Sequence, residues 1–105
     1  MDERKGGTSM IRFLVVCTNG LGTSLMIRLN LQTVLAEIGL PADIEHTDVS
    51  SVHLYQPEVI IGDDSVVDSI RGRTEAELIS LAHVADRAEL KQAILASTSI
   101  QHVLK

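Results

Sequence analysis

Residues Ile11–Ser24 read IRFLVVCTNGLGTS, an apolar run followed by two glycines and then by helical periodicity. Ile11–Val16 is nearly continuous in β-branched and aliphatic residues, the pattern of a strand buried on both faces of a parallel sheet. Cys17–Thr23 supplies turn chemistry through Asn19-Gly20 and Gly22. Beyond it Ile27, Leu31, Val34, Leu35 and Ile38 share one helical face, with Arg28, Gln32 and Glu37 elsewhere. Gly39 and Pro41 then form a helix stop. The unit is strand, loop, helix, and its loop opens on the only cysteine of the chain.

Working outward, Ala42–Asp48 alternates, with Ala42, Ile44 and His46 set against Asp43, Glu45 and Thr47. Alternation means one buried face, so this second strand is expected at a sheet edge. Pro57–Gly62 (PEVIIG) is again continuously apolar and is expected to be central. Asp64 or Ser65 is positioned to cap a short helix through Val66, Val67 and Ile70. Glu77–Leu81 reads as a fourth, shorter strand, and Ala88–Ala96 as an amphipathic helix with Leu90, Ala93 and Ile94 inward. Strands alternating with helices imply right-handed βαβ units around a parallel sheet. Two central and two edge strands give the order 2-1-3-4. The expectation is a three-layer α/β fold, the start of a flavodoxin-like arrangement. In such a sheet the ligand site lies at the carboxyl ends of the strands, between strands 1 and 3, which is where Cys17 falls.

The 105 residues imply one domain, burying roughly two thirds of the surface of the unfolded chain. Residues 1–9 (MDERKGGTS) read as a disordered tail or an appended remnant, and residues 10–105 as a single domain. Aromatic residues make up 2%, so the core must be aliphatic. The net charge of −5 argues against nucleic acid, whose affinity comes largely from Lys and Arg at phosphates. No apolar run approaches the ~20 residues needed to span a bilayer, so no direct membrane insertion is expected. A single cysteine forms no intrachain disulfide and no multi-thiolate metal site, which fits a reducing, cytoplasmic setting.

The loop is the chemical centre of the sequence. Glycines permit positive φ and close backbone approach to a ligand. Successive N–H groups in such a loop form an anion-binding nest, and the following helix adds its positive end. Thr18, Asn19, Thr23 and Ser24 add side-chain donors. The same environment favours a thiolate, the nucleophilic form of cysteine, and suits the doubly charged phosphoryl group that replaces it. The bland alternative is a structural cysteine buried before an ordinary turn. The third glycine of a dinucleotide fingerprint and the lysine of a Walker loop are absent. Low-molecular-weight tyrosine phosphatases resemble this arrangement, with a Cys-x5-Arg loop. Here the sixth residue after Cys17 is Thr23, so the guanidinium that grips phosphoryl oxygens is missing. A rhodanese-like sulfur carrier is a further alternative, although the loop has no basic residue.

With its Cys-x-Asn-Gly-x-Gly-[Ser/Thr]-Ser motif, the stretch resembles the IIB component of a bacterial phosphoenolpyruvate-dependent sugar phosphotransferase system. Within the lactose/galactitol/ascorbate group it is most similar to the ascorbate-type IIB proteins. Weaker likeness runs through PEVIIGDD, ELISL and the last helix, covering most of Ile11–Ala96. Thr18 and Leu21 depart from the closest pattern. The resemblance implies a four-stranded parallel sheet like that of low-molecular-weight phosphatases. It also implies a phosphotransferase component that works through phosphocysteine without a cofactor. Cys17 is then the acceptor, and Thr18, Asn19, Gly20, Leu21, Gly22, Thr23 and Ser24 the phosphate loop. The implied partners are a IIA phosphohistidine donor and a membrane IIC component holding a sugar or sugar-like substrate. A IIB-like regulatory or interaction module without transfer activity would show the same loop.

Other polar residues are weaker candidates. His46, His53, His83 and His102 are scattered without metal-ligand spacing, though His46 and His83 lie near strand ends. Asp63 and Asp64 follow the third strand, and helix capping is their expected role, because a like charge disfavours a phosphorylated neighbour. Arg71 and Arg73 are expected in solvent. Leu25, Met26 and Leu29 are either core or an apolar rim beside the loop.

Overall fold

The structure is a computed structural model and describes residues 10–17 and 21–104. Four strands, β1 (Ile11–Cys17), β2 (Ala42–Asp48), β3 (Val59–Asp63) and β4 (Glu77–Leu81), form one sheet. All pairings are parallel and the order is β2-β1-β3-β4, as the burial patterns of the sequence imply. The helices are α1 (Leu21–Ile38), α2 (Asp64–Ile70), α3 (Arg87–Ala96) and α4 (Thr98–Leu104), with a 3-10 helix over Val49–Leu54.

Period-2 alternation along the two central strands sorts their side chains into two cores. Ile11, Phe13, Val15, Val59 and Ile61 face one side, where Ile27, Leu31, Val34 and Leu35 of α1, Leu90 and Ile94 of α3 and Ile100 of α4 cover them. Leu14, Val16 and Ile60 face the other, where Val52 of the 3-10 helix and Val66 and Ile70 of α2 close a smaller cluster. The sheet is therefore the middle of three layers. The inward faces read from the sequence for α1 and α3 are the ones observed, with Ile38 and Ala93 half-buried.

Alpha1 ends on Gly39 at φ +71°, a conformation that costs a side-chain-bearing residue but not glycine. Leu40 N donates to Leu35 O at 3.0 Å and Gly39 N to Ala36 O at 3.3 Å, the paired bonds of a Schellman stop. Leu40 and Leu35 are both buried, supplying the apolar contact that accompanies the motif.

Three details differ from the sequence reading. His46 is exposed, while Thr47 is half-buried. The 3-10 helix folds back directly after Asp48 on the Val16 side, so cover at the end of β2 falls on the Thr47 face. The cap of α2 is Asp63 rather than Asp64 or Ser65: its Oδ1 accepts from Val66 N at 2.8 Å and from Ser65 Oγ at 3.0 Å. Helices also form over Val49–Leu54 and Thr98–Leu104, where the sequence reading assigns no element.

Candidate functional site

Cys17 is the last residue of β1, at the carboxyl end of a central strand. The chain leaving β1 enters α1, which covers one face of the sheet, and the chain leaving β3 enters α2, which covers the other. The junction between β1 and β3 is thus the switch point of the sheet. Gly62 lies close under it: a Cβ there would sit 3.0 Å from both Val16 O and Val66 Cγ1.

Cys17 is buried, with 8% of its surface exposed. Its Sγ lies 4.0 Å from the carbonyl oxygen of Thr47 on β2, a long thiol–carbonyl contact. The β1–β2 ladder runs the full length of both strands and ends with Cys17 opposite Asp48. Of the expected phosphate loop, Thr18, Asn19 and Gly20 lie outside the described residues. Leu21, Gly22, Thr23 and Ser24 form the first turn of α1. The side chains of these four also lie outside the described residues.

Asp48 is a residue that sequence reasoning passes over. It caps the 3-10 helix: Oδ1 accepts from Ser51 N at 3.0 Å and from Ser50 Oγ at 2.8 Å. The Ser50 hydroxyl, against an opposing desolvation, and then Ser51 hold this carboxyl below its ordinary pKa. The Asp-x-Ser pattern at the end of an edge strand is the signal for the cap. Its place opposite Cys17 is visible only in the register.

The remaining candidates disperse. His46 pairs with Val15, two positions before the cysteine, and is exposed. His53 is in the 3-10 helix, His102 is in α4, and His83 follows β4, which β3 separates from β1. Asp63 caps α2, whereas Asp64 is not the expected cap and instead accepts from the Ser80 hydroxyl. Arg71 meets Asp68 at 3.4 Å on the surface, and Arg73 is exposed. Leu25, Met26 and Leu29 are 50, 43 and 59% exposed, which removes them from the core and leaves an apolar strip on the first turns of α1.

The fold also gathers His83, Asp86 and Glu89, whose ligand atoms lie within 4.8 Å of one another. Both carboxylates are already engaged. Asp86 Oδ1 caps α3 through Ala88 N at 3.0 Å and Glu89 N at 3.2 Å. Glu89 accepts from Ala82 N at 2.8 Å and His83 N at 2.9 Å, and lies 3.4 Å from His83 Nδ1. These bonds fasten the β4–α3 loop. A cleft of about 980 Å³ lies at the opposite, amino end of the strands, between Tyr55, Pro57, Glu58, Glu75, Glu77 and His102, away from Cys17.

Among the described residues no helix is long and apolar enough to cross a membrane. Over 86 residues the chain is 22% identical to the ascorbate-specific PTS system EIIB component of Mycoplasma pneumoniae, covering 80% of this chain and 90% of that protein. The family model described as "PTS system, Lactose/Cellobiose specific IIB subunit" matches residues 12–96. That match runs from the second residue of β1 to the last residue of α3. By its sequence over this span, the chain belongs to the lactose/cellobiose-type IIB family of the phosphotransferase system.

Proposed function

We propose that this chain is a phosphoryl carrier in which Cys17 takes a phosphoryl group from a phosphohistidine on a IIA partner. It then hands the group to a sugar or sugar-like substrate held by a membrane IIC component. The observation that carries the reading is the position of Cys17, last in a central parallel strand and just ahead of an 18-residue helix, in a chain of the IIB family.

In the first step the thiolate sulfur attacks phosphorus, an S–P bond forms and the N–P bond of phosphohistidine breaks. The imidazole keeps the electron pair. In the second step a substrate hydroxyl oxygen attacks phosphorus, the S–P bond breaks and sulfur leaves as thiolate. The hydroxyl proton passes to solvent or a base of the acceptor site. Both steps need positioning and anion stabilisation more than covalent help. Thr18, Asn19, Gly20, Leu21, Gly22, Thr23 and Ser24 are the proposed phosphate loop, using backbone N–H groups and hydroxyls in place of an arginine. Weak, uncharged grip suits a group that must leave again. Thr23→Arg is expected to increase hydrolysis of the phosphorylated protein and to slow onward transfer.

Residues 10–105 act as one carrier domain on the cytoplasmic side, with IIC supplying the membrane passage. An ascorbate-like acceptor is favoured by the named specificity of the Mycoplasma relative and by the resemblance of residues 11–24. The test is intact mass after incubation with phosphorylated IIA. The native chain gains one phosphoryl group and Cys17→Ser gains none. No gain from a competent cognate donor would overturn the proposal and leave a regulatory module. Membranes carrying an ascorbate IIC, compared with ones carrying a lactose or galactitol IIC, then test the acceptor.

A further inference from the structure

We propose that Asp48 is a fixed negative charge that destabilises the phosphorylated form of Cys17 and so drives the phosphoryl group onward. The inference rests on the carrier role above and adds a residue to it. Three observations support it. Asp48 is the register partner of Cys17 across the β1–β2 ladder, and adjacent strands run only about 4.8 Å apart. The residue before it, Thr47, supplies the carbonyl that lies 4.0 Å from Sγ. The carboxylate is not a free-swinging surface charge, because Ser50 Oγ and Ser51 N hold its Oδ1 at 2.8 and 3.0 Å.

The sign follows from the charges. The unloaded sulfur carries at most one negative charge, and the loaded form carries about two at neutral pH, the value known for phosphorylated hydroxyl side chains. A neighbouring carboxylate repels the second more than the first. It therefore shifts the equilibrium with the donor toward unloaded Cys17. It also favours the later step, in which sulfur leaves as thiolate and the phosphoryl group departs to a hydroxyl. The phosphate loop of the proposed site stabilises the anion, and Asp48 sets a limit on that stabilisation. A carrier needs such a limit, since a phosphocysteine held too well would be a dead end.

Cap and charge are separable by substitution. Asn and Ser cap helices about as well as Asp but carry no charge, whereas Ala lacks both properties. The experiment measures the equilibrium constant for transfer from phosphorylated IIA to Cys17 by intact mass, at low and high salt, with thermal stability in parallel. Asp48→Asn and Asp48→Ser are expected to raise loading about 3- to 10-fold at low salt, a range set by Coulomb repulsion across the sheet edge. The gain should shrink toward the native value at ~1 M salt, where screening acts over about 3 Å. Both variants should also slow the release of the group to acceptor. A purely structural cap would leave the Asn and Ser variants at the native equilibrium and affect Asp48→Ala alone, which would overturn the inference. Failure of the native chain to load would instead sink the carrier reading, and this inference with it.

Discussion

The Glu77 carboxylate opens β4 and accepts from Ser97 Oγ at 2.7 Å, Ser99 N at 3.0 Å and Thr98 N at 3.1 Å. Desolvation pushes its pKa up, but the bonds from Ser97, Ser99 and Thr98 together outweigh that and hold it below the ordinary value. A carboxyl lowered in the folded state contributes stability above its unfolded pKa and loses it as pH falls through the folded one. Glu77→Gln should therefore lower the unfolding free energy measured in urea at neutral pH, by about 1–2 kcal/mol for charged hydrogen bonds in a half-buried place. It should also flatten the acid-side loss, so that the two proteins converge below the carboxylate range. Curves that stay parallel through the acid limb would refute this. Residues like Glu77 and Asp48 mark where sequence reading stops. Cys17 is legible because a lone cysteine at the end of an apolar run is a local signal. Glu77 and Asp48 look like ordinary polar positions in edge strands, and they acquire meaning only from a helix 20 residues on or a strand 31 positions back.

At the scale of elements, the strands and the two long helices were readable because apolar period carries them. The 3-10 helix and α4 were not. VSSVHL buries only Val52, and TSIQHVL begins directly after α3, with its first amides satisfied by distant Glu77. Neither segment has enough periodic apolar surface to announce itself. The cap of α2 lies one or two residues before the expected Asp64 or Ser65 because Asp63, Asp64 and Ser65 are all competent caps and β3 runs straight into the helix. Replacing Asp63 by Ala should cost about 0.5–2 kcal/mol, while Asp63→Asn should cost far less. Gly62→Ala should be destabilising by about 1–3 kcal/mol, because its Cβ would press on a backbone oxygen and on Val66, and a ladder carbonyl cannot swing aside. Denaturant midpoints check both, and a neutral Gly62→Ala would show that β1 and β3 are not held as closely as described.

For the whole molecule, the unequal covering of the two sheet faces has a measurable consequence. Ile60 and Ile61 are neighbours on one strand, equal in volume and both fully buried, and they point to opposite cores. Ile61 faces the layer built from the 18 residues of α1 together with α3 and α4. Ile60 faces the layer of a 6-residue 3-10 helix and the 7 residues of α2. Removing three carbons costs the transfer energy of those atoms plus a cavity term, and the cavity term depends on how far the surroundings can collapse. Short elements joined by exposed turns relax more readily than long helices braced against one another. Both Ile→Ala changes fall in the range of about 2–5 kcal/mol. Ile61→Ala belongs at its upper end and Ile60→Ala at its lower. Urea unfolding of the two variants tests the order directly. The reverse order would mean that the thin layer is the rigid one.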